Sequence, residues 1–138
     1  MKVVLDTNIL ISACWKPGGL EEQVLELGLA GRFDIVVSPA VWAEYIEVLR
    51  RPKFEKLQPR VDVLLTRLES RIIYCEPDSK IELASDPDDN RMLECAAAAG
   101  AAYIVSGNLK DYPLDWPVAR ILNARQFLEA IAFQLHSF

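Results

Sequence analysis

Four acidic residues are placed where a loop or an early helical turn could present them: Asp6, Glu44, Asp89 and Asp111. Carboxylates brought together repel one another unless a cation lies between them. Oxygen-only ligands select hard ions such as Mg²⁺ or Mn²⁺. Such ions activate water and stabilise the leaving oxygen of a phosphodiester, so the chemistry of this set would be cleavage of a nucleic acid. Each acid also has a plainer use. Asp6 could cap the helix that follows it. Glu44 could be a solvated helix residue, as acidic as nearby Glu47. Asp88 and Asp89 suit the positive end of a helix dipole, and Asp111 could be an ordinary loop residue. Spacing alone leaves both readings open.

Other chemistries are harder to build. The single histidine, His136, stands two residues from the end and reads as a tail residue. A Ser-His-Asp triad or a two-histidine ribonuclease therefore lacks its parts. No GxxxxGK[ST] loop occurs. A strand-end Asp also serves aspartyl-phosphate phosphotransfer proteins. The dehalogenase-like phosphatases want Asp-x-Asp-x-Thr/Ser, however, and this chain reads Asp6-Thr7-Asn8-Ile9-Leu10, without the second acid, the hydroxyl or a convincing later lysine.

Convergence of the four acids depends on the elements between them. Lys2 to Leu5 is short, apolar and rich in valine, a buried-strand signal ending at Asp6. Strands are also expected over 34–37, 72–75, 103–106 and, more weakly, 119–122. A helix over 20–29 is closed by Gly31. Another opens at Ser38-Pro39, an N-cap followed by proline at the first position, and runs to about Arg50, where Pro52 stops it. Pro59 opens a helix over about 60–70, and a high-propensity helix over 89–99 is closed by Gly100. Asn123 and Gln126 resemble a capping box for the last helix. Alternating strands and helices predict an α/β domain with a parallel sheet covered on both faces. Ligands of such sheets gather outside the carboxyl ends of the strands, where the four acids could meet.

At 138 residues, 51% of them hydrophobic, the chain suits a single domain over 1–138 with a sizeable core. Cys14, Cys75 and Cys95 form no CxxC pair and have apolar neighbours, so buried free thiols are expected. The N-terminal apolar run is broken by Asp6 and Asn8, too short and polar for a membrane span and without a small-residue cleavage site. A cytoplasmic protein with no membrane partner is expected. The net charge of −5 has the wrong sign for a nucleic-acid binder, but its distribution is uneven. Residues 50–71 hold seven basic residues against three acidic ones, which gives +4 there and leaves −9 elsewhere. That stretch could be a solvated helix face or a phosphate-guiding patch.

Three segments carry a family resemblance. VVLDTNILISA resembles the opening signature of PIN domains, a strand ending in Asp followed by Thr-Asn and an apolar helix. VVSPAVWAEYIEVLRRPKF resembles the second acidic segment, with Glu44 in the motif position and Glu47 outside it. DPDDNRMLECAAAAGAAYIVSGNLKDYP resembles the third and fourth, matched by Asp89 and Asp111. The likeness runs from Lys2 to about Phe133 and is nearest to the toxins of bacterial and archaeal toxin–antitoxin pairs, the VapC-like ribonucleases.

The resemblance implies a PIN-like three-layer α/β/α fold with a central parallel five-stranded sheet. It implies an Mg²⁺ or Mn²⁺ site, single-stranded RNA as substrate, a small antitoxin partner and a homodimer. Asp6, Glu44, Asp89 and Asp111 would be its catalytic metal ligands, and Asn8 and Ser106 would orient them. Many PIN sequences have Thr-x-Asp after the fourth strand; here Ser106-Gly107-Asn108 stands instead, so Asn108 offers an oxygen without charge. Arg50, Arg51, Lys53 and Lys56 would guide the RNA backbone. A catalytically weak module that binds RNA or an antitoxin is the competing expectation. Trp15, Trp42, Tyr45 and Phe54 serve either base stacking or packing.

Overall fold

A computed structural model describes residues 1–136 of the chain. His136 falls among residues 133–138, whose side chains lie outside the described residues. Five strands, β1 (Lys2–Leu5), β2 (Asp34–Val37), β3 (Ile73–Tyr74), β4 (Tyr103–Val105) and β5 (Arg120–Leu122), form one sheet in the order β3-β2-β1-β4-β5. Every pairing is parallel. Val3, Val4 and Leu5 are fully buried in the central strand, as a strand covered on both faces requires. β3 is an exposed, two-residue edge.

Among the described residues, five α-helices lie between the strands and a sixth follows β5: α1 (Thr7–Trp15), α2 (Leu20–Leu29), α3 (Pro39–Leu49), α4 (Gln58–Glu69), α5 (Pro87–Ala99) and α6 (Ala124–His136). The parallel register sets Val3, Ile35 and Tyr103 in one row across the sheet. Phe127 of α6 packs edge-on against Tyr103, its ring centroid 5.4 Å away, and α2 and α6 cover that face together. α3 and α5 pack together on the other face, completing the expected three layers.

Local signals set most boundaries. The Ser38 hydroxyl oxygen accepts the Val41 N–H at 3.1 Å, with Pro39 next in line. Asn123 and Gln126 exchange the two bonds of a capping box, at 3.0 and 2.8 Å. Gly100 ends α5 with φ 66°, a conformation glycine adopts without penalty. The expected start of that helix at Asp89 is too late. Asp86 is its N-cap and accepts the Asp88 N–H at 2.9 Å, with Pro87 at the first position. Asp89 therefore sits within the first turn. A 3₁₀ segment, Pro52–Leu57, links α3 to α4 where the sequence suggested only a stop.

Gly28 lets α2 lie close on the sheet. A Cβ there would come within 2.7 Å of the Ile35 side chain and 2.9 Å of Phe33. Gly28→Ala is expected to destabilise by about 1 kcal/mol, because the Ile35 terminus must give way in a filled core. An unchanged urea midpoint would contradict that packing. The cysteines are free, but only Cys14 and Cys95 are fully buried. Cys75 is half-buried and holds its sulfur 3.5 Å from that of Cys95, a proximity the sequence did not announce.

Candidate active site

The order β3-β2-β1-β4-β5 sends the chain outward from β1 in one direction and then in the other. The carboxyl ends of β1 and β4 flank that reversal, the place where open α/β sheets keep their ligands. Asp6 follows β1 and Ser106 follows β4. Asp6 is only 7% exposed and occupies the N-cap position of α1, yet its side chain caps nothing. Its Oδ2 accepts instead the Ser106 hydroxyl and the Tyr112 hydroxyl, each at 2.8 Å. The plainer capping role is thereby excluded.

The residues after Asp6 divide the remaining work. The Thr7 hydroxyl donates to Glu44 Oε2, tying α3 to the end of β1. Asn8 Oδ1 accepts the Gly107 N–H at 2.9 Å, while Ser106 Oγ accepts the Asn108 N–H at 3.0 Å. Asn8 and Ser106 thus fix the turn after β4. Asn108 enters this arrangement through its backbone, and its side chain is exposed.

Electrostatics link the acids. Burial pushes the Glu44 carboxyl up to about 7; the Thr7 hydroxyl opposes this, and the charges of Asp88 and Asp6 add to it. Burial likewise pushes Asp89 up to about 6, reinforced by Asp6 and Asp86, relieved by the Tyr112 hydroxyl and raised again by Asp111. Burial and the adjacent Asp6 charge drive the Tyr112 phenol far above its ordinary range. The charge of Asp6 thus bears on two groups of acids, Glu44 with Asp88 and Asp89 with Asp86. Asp111 is exposed and joins at the rim. A cleft of about 360 Å³ runs there, lined among others by Asp86, Asp89, Lys110, Asp111 and Tyr112.

The donor set is all oxygen, short of cationic partners, and raised by burial and then by its own repulsion, which is the chemistry a hard cation relieves. As the side chains lie, no three His, Cys, Asp or Glu among the described residues close around a common point. Ligands on α3 and α5 would have to turn toward Asp6.

Arg50 and Arg51 are already engaged, with Asp62 at 2.6 Å and Glu47 at 2.9 Å. Lys53 and Lys56 have no carboxylate partner among the described residues. Tyr45 is fully buried, its hydroxyl donating to the Leu5 carbonyl, and Phe54 is buried too, so these two aromatics pack. Trp42 is half-buried against Tyr45, and Trp15 is 57% exposed.

Residues 2–110 match the family model described as PIN domain. The chain belongs to the PIN-domain family. This PIN domain is 29% identical over 111 residues to an uncharacterized protein of Methanocaldococcus jannaschii, MJ1680, covering 78% of this chain and 71% of that protein. Among solved structures, it resembles VapBC2 from Rickettsia felis bound to a DNA fragment from the promoter. The TM-score is 0.62 and identity 26%, over 89% of this chain and 98% of the other. DNA-bound VapBC from Salmonella typhimurium shares the fold at TM-score 0.62 and 17% identity, over 90% and 98% of the two chains. Its likeness is thus to VapC-like members, in a family of nucleases. No helix among the described residues is long and apolar enough to cross a membrane.

The PIN-domain match ends one residue before Asp111, so the rim acid and Tyr112 lie just beyond it. Sequence reasoning missed Thr7 and Tyr112, and it weighed Asp88 beside Asp89 without placing it in the site. Thr7 and Asp88 adjoin residues it singled out, but Tyr112 gave no periodic or motif signal. Tyr112→Phe keeps the buried ring and removes the bond to Asp6. Orienting bonds of this kind are typically worth 10–100-fold in metal affinity. For the Mg²⁺ or Mn²⁺ site that the family resemblance implies, the expected result is a roughly 10-fold weaker Mn²⁺ affinity, beside a loss of about 1 kcal/mol in stability. Unaltered Mn²⁺ titration by calorimetry would remove Tyr112 from the site.

Proposed function

We propose that this PIN domain is an endoribonuclease that cuts single-stranded RNA with Mg²⁺ or Mn²⁺, and that it is the toxin of a toxin–antitoxin pair. The observation that carries the reading is the buried Asp6 carboxylate, oriented by two hydroxyls among acids that its charge helps to push up. Asp6, Glu44 and Asp89 would hold the ion, with Asp88 near Glu44 and Asp111 near Asp89. The ion, when bound, would supply an acidified water and offset the negative charge that grows on the phosphodiester.

The protein's own groups do the positioning. Ser106 and Tyr112 hold Asp6, and Thr7 holds Glu44. Asn8 pins the turn after β4. Lys53 and Lys56, with Arg50 and Arg51 beside them, would meet RNA phosphates, and by family analogy the products carry a 5′ phosphate and a 3′ hydroxyl. The likeness to VapBC complexes supports an antitoxin as partner, and the homodimer is carried only by analogy with the family.

The test is a labelled single-stranded RNA incubated with Mn²⁺, Mg²⁺ or EDTA. Cleavage that needs the metal supports the nuclease. Undiminished cleavage in EDTA refutes the metal's part in it. Binding without cleavage favours the competing binding module, whose motivation is the loose spacing of the acids and the neutral Asn108.

A further inference from the structure

The surface at the far end of α1 combines features that the carboxylate site does not use. Trp15, the last residue of α1, is 57% exposed. Its ring is nevertheless fixed, edge-on to buried Phe54 with centroids 6.3 Å apart. It forms one wall of a cleft of about 510 Å³ whose other walls are Pro52, Lys53, Glu55, Lys56 and Leu57. The Lys53 ammonium stands 5.1 Å from the Phe54 ring centroid, and neither Lys53 nor Lys56 meets a carboxylate among the described residues. Lys16 follows directly in sequence.

An exposed, held indole beside free ammonium groups matches the two parts of a single-strand binder, a stacking face and a phosphate-neutralising flank. The same lysines argue against a protein partner, since lysine is depleted from the cores of protein interfaces. The location also fits. α1 starts at the residue after Asp6, and nine residues at 1.5 Å each carry the chain about 14 Å to Trp15. Arg51 precedes the cleft-lining Pro52 in sequence, is held by Glu47, and its guanidinium also feels the charges of Glu44 and Asp88.

We propose that Trp15, Lys53 and Lys56 form a nucleotide-docking subsite. A base of single-stranded RNA stacks on Trp15 there, and its flanking phosphates meet the two lysines, about 14 Å from the carboxylates. The proposal rests on the RNA reading above and adds where the strand is gripped away from the cut. It divides the basic patch: the two lysines and the tryptophan hold the strand, and the arginines stay with their carboxylates until a phosphate competes for them.

The experiment separates docking from catalysis by measuring binding in EDTA, by fluorescence anisotropy. The probe is a labelled single-stranded RNA of about 12 nucleotides, within the span that such surfaces cover. Trp15→Ala is expected to weaken binding by about 5- to 100-fold, and Trp15→Phe to restore most of it. Lys53→Ala with Lys56→Ala should reduce the salt slope of log affinity by about 1.4, at roughly 0.7 per phosphate contact on a single strand. Both lysines are exposed, so the double variant stays folded and informative even if a Trp15 variant does not. Equal affinity of Trp15→Ala and the parent overturns the proposal, as does an unchanged salt slope. A Trp15→Ala protein that loses affinity only because sedimentation shows it losing a dimer also overturns it, and assigns the face to a second copy of the chain. Failure of the nuclease reading has a different signature: Trp15-dependent binding persists, but no metal produces cleavage.

Discussion

Asp6→Asn is expected to lower metal-dependent RNA cleavage by about 10³-fold or more, the scale on which a principal electrostatic group acts, while making the metal-free protein more stable. The two effects have one cause. Asp6 is buried, and its charge helps to push up both Glu44 and Asp89. Removing the charge takes away the central ion ligand and also the repulsion at the middle of the site. Asparagine has the same size and keeps an oxygen that can accept the Ser106 and Tyr112 hydroxyls, so the fold loses little. Stored unfavourable charge at a functional centre commonly gives this opposition of activity and stability. The gain should be about 1 kcal/mol, read as a rise in the melting temperature at pH 8 in EDTA. A variant that cuts RNA like the parent removes Asp6 from the chemistry. A variant that is inactive but melts lower would mean that Asp6 is structural.

The second large effect is a stability that falls as pH rises. Glu44 is pushed up to about 7 and Asp89 to about 6, from ordinary values of 4.5 and 3.8. Between these limits the folded protein holds protons that the unfolded chain has released, so unfolding becomes easier as pH climbs. The stabilisation by these protons is complete at low pH and is lost by the time pH passes the higher folded value. Both carboxyls are partly open to water. After discounting for that screening, the two together should be worth about 2–3 kcal/mol between pH 4 and 8. Saturating Mn²⁺ should flatten the trend, because the ion binds the deprotonated acids of the folded state alone; at about 100 times its dissociation constant it adds about 2.7 kcal/mol, which offsets the loss. Glu44→Gln separates this from the titration of other groups. It should flatten the EDTA curve of melting temperature against pH, and an identical slope in variant and parent would defeat the assignment.

Much of this architecture was legible because its signals are local. Ser38-Pro39, Asn123 with Gln126, and Gly100 each act through a bond or a dihedral within a few residues, and all three stand where expected. Alternating strand and helix patterns carried the parallel sheet. The start of α5 was missed although Asp86-Pro87 repeats the cue of Ser38-Pro39, because the run of acids at 86, 88 and 89 offers several competing caps. Ser106 was expected to orient Asp6, and the 2.8 Å bond is there. Tyr112 was not foreseen, because its partner lies 106 residues away and nothing near it in sequence marks the contact. The engagement of Arg50 with Asp62 and the approach of Cys75 to Cys95 depend equally on tertiary geometry.

The distance along the chain between Asp6 and the hydroxyls that hold it has a consequence for biosynthesis. Asp6 leaves a ribosome well before its partners: Ser106 follows 100 residues later and Tyr112 106 residues later. At about 5–20 residues per second, roughly 5–20 s pass between the first and last of these groups. Through that interval a nascent chain carries the acid without its orienting partners. On the nuclease reading, a site whose parts lie this far apart in the chain stays inert beside the RNA that encodes it until Tyr112 has been made.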